Sequence, residues 1–137
     1  MAGYSGTPLL KKLGIKEGDR VLLRNPSAEL PQELKDYANT RPKNDLDVVL
    51  LFANSFAAFA AELAASLKTI KSDGMIWIAW PKKASGIKTD LNENLIRDYA
   101  LKTTLVDVKV CAIDETWSGL KLVVRKQHRA THKGMAE

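Results

Sequence analysis

Two short segments of this chain concentrate groups able to do chemistry: Trp80-Pro81-Lys82-Lys83-Ala84-Ser85-Gly86 and Asp114-Glu115-Thr116-Trp117-Ser118-Gly119. In the first, Lys82 and Lys83 supply positive charge and Ser85 a hydroxyl, while Gly86 lets backbone N–H groups approach a phosphate or carboxylate. The segment therefore reads as an anion-holding loop. It lacks the Gly-x4-Gly-Lys-Ser/Thr spacing of a phosphate loop. A solvated loop leaving a buried strand, with Pro81 stopping the ladder, accounts for the same residues. In the second segment, Asp114 and Glu115 are of the type that forms an acid/base pair or holds a cation. Neighbours on an extended chain point to opposite faces, however, so two adjacent carboxylates seldom converge on one atom. Asp114 as a turn acceptor and Trp117 as a cover for the sheet edge are the plainer roles.

The elements that position these loops follow from periodicity and punctuation. Thr7-Pro8 opens a short helix with Leu9, Leu10 and Leu13 on its apolar side, and Gly14 stops it. Residues 20–24 read as a first strand. Pro31 begins a second short helix with Leu34, Tyr37 and Ala38 facing inward, and 39–44 is a polar loop. Residues 46–53 are apolar without alternation except at Asp47, as expected of a strand covered on both faces of a parallel sheet. Ser55 caps a helix whose Phe56, Phe59, Ala60, Leu63, Leu67 and Ile70 recur at helical steps, and Asp73-Gly74 closes it. A strand over 75–80 follows. Asp90 and Glu93 read as a capping box for a helix running to Leu105, with Leu91, Leu95 and Tyr99 on one stripe. Strands near 106–113 and 120–125 finish as a hairpin.

Strands alternating with helices around all-apolar central strands predict an α/β fold, a three-layer Rossmann-like sandwich. Right-handed crossovers place strands one to four in parallel, and the fifth returns by a short turn into the gap beside the third. The expected order is 1-2-3-5-4, with only the last strand antiparallel. Open α/β sheets hold ligands beyond the carboxyl ends of their strands. That rim is expected to collect Asn25 and Ser27, Asn54 and Ser55, 80–86 and 114–118. The ligand-binding candidates are accordingly Lys82, Lys83, Ser85, Asp114, Trp117, Asn25 and Ser55.

At 137 residues and 45% hydrophobic, the chain fits one domain over 1–126, burying roughly two-thirds of its unfolded surface, with a basic, flexible tail over 127–137. The formal charge of +5 is uneven: Arg125, Lys126, Arg129 and Lys133 face only Glu137, which leaves +2 for residues 1–124. That distribution argues against nucleic acid as a partner outside the tail. No run approaches the roughly 20 apolar residues of a membrane helix. The first residues have neither a basic nor an apolar export region, and a single cysteine, Cys111, fits a reducing cytoplasm.

No metal site is expected. His128 and His132 have helix-compatible i, i+4 spacing but no carboxylate or cysteine partner. Cys111 lies mid-strand, where a buried, inert thiol is expected. No cofactor is expected either: Arg24-Asn25-Pro26-Ser27-Ala28-Glu29 offers no glycine for close approach of a pyrophosphate or adenosyl group. Ala53-Asn54-Ser55 offers no acid for ribose hydroxyls.

With Gly3-Tyr4-Ser5-Gly6-Thr7-Pro8-Leu9, Met75-Ile76-Trp77-Ile78-Ala79-Trp80-Pro81-Lys82 and Trp117-Ser118-Gly119-Leu120-Lys121-Leu122-Val123 in view, the chain resembles a bacterial family of small proteins, DUF3052. The resemblance reaches Lys126 and implies no activity. More coarsely, residues 46–126 resemble the C-terminal half of a class I methyltransferase, including the helix-to-strand turn Leu67-Lys68-Thr69-Ile70-Lys71-Ser72-Asp73-Gly74. The N-terminal half of such enzymes, with its glycine loop, is here reduced to one strand and small helices, so the likeness implies fold and not methyl transfer. The sequence reads as a binding or protein-interaction module, its partner a protein or a small anionic ligand. An enzyme acting on a small anionic substrate at the carboxyl rim, as a methyltransferase-like relic, is the alternative.

Overall fold

Buried β-branched and leucine runs carry the architecture. The computed structural model describes residues 9–16, 18–25 and 45–130. The expected start of the first helix at Thr7-Pro8, the helix from Pro31, Ser27 and the tail beyond residue 130 lie outside them. Five strands, β1 (Val21–Arg24), β2 (Leu46–Phe52), β3 (Ile70–Pro81), β4 (Leu105–Ala112) and β5 (Trp117–Val124), form one open sheet in the order β1-β2-β3-β5-β4. β1, β2 and β3 are parallel, whereas β5 runs antiparallel to β3 and to β4. The predicted order and the direction of the last strand are therefore both present.

Helices lie on the two faces of the sheet. α2 (Phe56–Leu67) and α3 (Glu93–Leu101) bury Phe59, Leu63, Ile96 and Ala100 against Val49, Leu51, Ile76, Ile78, Leu120 and Leu122. The rings of Phe56, Phe59 and Tyr99 meet edge-on with centroids 5.3–5.9 Å apart and join the two helices. On the other face α1 (Leu9–Leu13) and Ile15 cover Val48, Leu50, Phe52 and Trp77. The indole N–H of fully buried Trp77 donates to the Leu13 carbonyl at 3.0 Å, satisfying an acceptor at the end of α1. A short helix α4 (Lys126–Arg129) follows β5. Among the described residues no helix is long and apolar enough to cross a membrane.

Several element boundaries differ from the sequence reading. α2 ends at Leu67, and Ile70 opens β3 instead of completing a helical face. Gly74, expected to end the helix, lies buried within β3, where a Cβ would come within 2.9 Å of the Leu46 carbonyl oxygen and closer still to Ile70. The absent side chain is what lets β3 pass β2 across the register shift between Leu46 and Val48. α3 ends at Leu101, not Leu105, which belongs to β4. Pro81 does not stop the ladder: it pairs with Trp117, the first residue of β5 rather than a loop residue. Asp47, the polar oddity of β2, accepts from the Arg20 N–H at 2.8 Å and from Lys71 Nζ at 2.9 Å, tying the amino ends of three strands together. Partial burial favours its neutral form, but those two partners outweigh burial and hold the carboxyl below its ordinary value.

Candidate functional site

The carboxyl ends of β2 and β3 diverge into the starts of α2 and α3, and a cleft of about 880 Å³ opens there. Its walls are Asn54 and Ser55 at the entry to α2, Trp80 and Pro81 at the end of β3, and the connection from Lys83 and Gly86 to Asn92. Buried Trp80, Pro81 and Leu91 form the apolar part, and exposed Lys83 and Lys88 the charged part. None of the ion pairs among the described residues uses either lysine.

Local chemistry shapes this wall. Lys83–Ser85 makes one 3-10 turn, and Gly86 leaves it at φ 78°, a left-handed conformation that glycine adopts without strain. The Ser85 hydroxyl donates to the Lys82 carbonyl at 2.6 Å and accepts from the Ile87 N–H at 3.1 Å, so it holds the loop. The Lys82 N–H donates to the Thr116 carbonyl at 2.8 Å, which joins the two chemically dense loops. Thr89 accepts from the Leu91 N–H at 3.1 Å in a further local turn.

Both bordering helices begin with satisfied donors. Ser55 accepts from Ala58 N–H at 3.2 Å and Asn92 from Leu95 N–H at 2.8 Å. The expected capping box at Asp90 and Glu93 is not formed. Asn92 is the N-cap of α3, Glu93 pairs with Arg97, and the Asp90 carboxylate crosses to α2 to accept from Phe56 N–H at 2.7 Å. Asp90 thus places a negative charge at the positive end of α2, inside the cleft.

The seven sequence candidates separate. Ser55 and Lys83 line the cleft, and Lys82 and Ser85 belong to the same loop without lining it. Asp114 accepts from the N–H groups of Thr116 and Trp117, both at 2.8 Å, as the acceptor of the turn before β5. Trp117 is half-buried and packs edge-on against Phe52 at 5.0 Å on the α1 face. Asn25 follows β1 at φ 54°, with its side chain beside Glu62. The Arg24 guanidinium first, and Asn25 less strongly, hold that carboxyl below its ordinary value. Lys88, Thr89, Asp90 and Asn92 are cleft residues that the rim reading left out. Their signal was a polar run, Lys88-Thr89-Asp90, between a loop and a helix, which carries no motif by itself. Cys111 is half-buried rather than buried, and burial pushes its thiol up. Among the described residues no group of three His, Cys, Asp or Glu is placed to hold a metal ion.

A family model described as "protein of unknown function (DUF3052)" matches residues 23–126, from β1 through the cleft to the start of α4. The chain belongs to the DUF3052 family. No curated protein matches it. The matched region of this DUF3052 protein includes every residue of the cleft and both dense loops.

Proposed function

We propose that this DUF3052 protein is a binding module that takes a small anionic ligand in the carboxyl-rim cleft, with residues 1–126 acting as one domain. The observation that carries this reading is the pairing of Lys83 and Lys88, both without an ion-pair partner among the described residues, with an apolar floor of Trp80, Pro81 and Leu91. Ligand sites of this kind combine an apolar cavity with a few charged groups that fix orientation. Asn54 and Asn92 add amide donors at the starts of α2 and α3. Charge-assisted hydrogen bonds from the lysines supply affinity, about 1.5–3 kcal/mol for each good bond.

Binding is preferred to catalysis because the acid/base and nucleophile types of the two dense loops and the cleft already hold structural hydrogen bonds. Asp114 closes a turn, Ser85 holds its loop, and Asp90, the one carboxylate lining the cleft among the described residues, accepts from Phe56. The strand order favours the methyltransferase-like relic as the second reading, through the antiparallel β5 placed between β3 and β4. Under that reading the cleft holds a substrate anion.

Native mass spectrometry of protein taken from cells tests the proposal. A co-purifying anionic species on wild type, lost in Lys83→Ala/Lys88→Ala at unchanged melting temperature, supports it. The same species retained by the double variant removes the lysines from the site.

A further inference from the structure

A second group of lysines stands on the opposite side of the sheet. Lys109 of β4 and Lys121 of β5 are directly opposite each other, and Lys121 is also the cross-strand partner of Trp77. Trp77 packs with Leu13, so Lys121 and Lys109 project on the α1 face. Lys12 of α1 and Lys109 both lie close enough to Cys111 for their charges to act on its thiol. None of the three lysines belongs to an ion pair among the described residues.

A break in β4 creates this arrangement. In a regular strand, residues i and i+2 share a face, and Asp107 would stand beside Lys109 and offset its charge. The register shifts between Asp107 and Lys109. Asp107 therefore points with Leu122 toward α3, where it accepts from Arg97 Nε at 3.0 Å. Lys109 is left facing Lys121. Like charges directly opposite in an antiparallel pair repel. Partial burial first, and then the charge of Lys109, pull Lys121 below the ordinary lysine value. Half-buried Val106, Cys111 and Val123 surround the pair, and Val108 at the neighbouring edge is 51% exposed.

We propose that this face docks an acidic protein segment, its carboxylates meeting Lys12, Lys109 and Lys121 and its apolar side chains covering Val106, Cys111 and Val123. The argument is charge complementarity: a cross-strand pair of lysines, with Lys12 near the adjoining Cys111 and none of the three in an ion pair among the described residues, attracts and orients a partner of opposite sign. The site is separate from the cleft, which opens between α2 and α3 on the other face.

Fluorescence anisotropy with a labelled peptide rich in glutamate and leucine tests the inference on the full chain. Wild type is expected to bind saturably, and Lys109→Glu/Lys121→Glu to weaken binding by about tenfold or more. The milder Lys109→Gln/Lys121→Gln variant should give an intermediate loss, and melting temperatures at or above wild type certify the fold of both. Lys68→Glu/Lys102→Glu, an equal charge change at the ends of α2 and α3, should leave affinity within about twofold. Equal weakening by that control would reduce the effect to diffuse attraction and overturn the proposal. So would absence of saturable binding by wild type, or tighter binding of a single-stranded oligonucleotide of the same charge that is lost in the same variant.

Discussion

The Asp90 carboxylate accepts from the Phe56 N–H at 2.7 Å, so the segment leading into α3 closes the start of α2. The contact spans 34 positions and fixes the width of the cleft between the two helices. It also puts a cleft carboxylate at a helix N-terminus, where an incoming anion would otherwise be drawn.

Replacing Asp90 separates these roles. Asp90→Ala is expected to lower stability by about 0.5–2 kcal/mol, the usual range for a lost cap. The same change is expected to strengthen anion binding, because it removes negative charge beside Lys83 and Lys88. Urea denaturation reads the first effect and titration with inorganic phosphate the second. Weaker phosphate binding at intact fold would contradict the placement of Asp90 in the site.

Asp47 predicts a pH dependence. Its folded value lies below the ordinary 3.8, so its contribution to stability is present above the unfolded value and is lost as pH falls through the folded one. Asp47→Asn should be less stable than wild type at neutral pH, with the gap narrowing below about pH 4. Urea midpoints from neutral to acid pH measure it; a gap independent of pH would show that charge is not what Asp47 supplies.

Trp77 anchors α1. Trp77→Phe leaves the Leu13 carbonyl without its buried donor and is expected to cost about 1–3 kcal/mol. Amide exchange of Gly14 and Ile15 should accelerate more than that of β2 if the loss is local. Uniform acceleration would mean that α1 and the sheet open only together.

The chain should not bind S-adenosylmethionine or a nicotinamide dinucleotide with micromolar affinity. The reason is the stretch Arg24-Asn25-Pro26-Ser27-Ala28-Glu29, which has no glycine at the turn where those ligands approach the backbone. Calorimetric titration with each is the check, and saturable heat in that range would shift the preference to the methyltransferase-like relic.

Sheet order was legible because it depends on connection length and crossover hand, which the alternation of apolar runs and helices exposes. Helix ends were less so. Ile70 sits three positions after Leu67 and continues a helical stripe as well as it opens a strand; its burial against the α2 face decides the matter only in three dimensions. The Asp90 cap was illegible for a related reason: capping motifs are local patterns, and this one joins residues from different crossovers. Of the two dense loops, Trp80–Gly86 led to the cleft, whereas Asp114 followed the turn role that its spacing to Thr116 and Trp117 allows. Lys88 and Asn92 carry no motif and gain meaning only from the neighbours the fold gives them.

Backbone amide shift mapping is the most direct test of the cleft as a binding site. During titration with a panel of small phosphates and carboxylates, the amides of Asn54, Ser55, Lys83 and residues 86–92 should shift together and saturate for at least one compound. The same titration of Lys83→Ala/Lys88→Ala should abolish those shifts while the rest of the spectrum stays in place. Saturable shifts confined to another surface, or shifts at the cleft that survive loss of both lysines, would contradict the account.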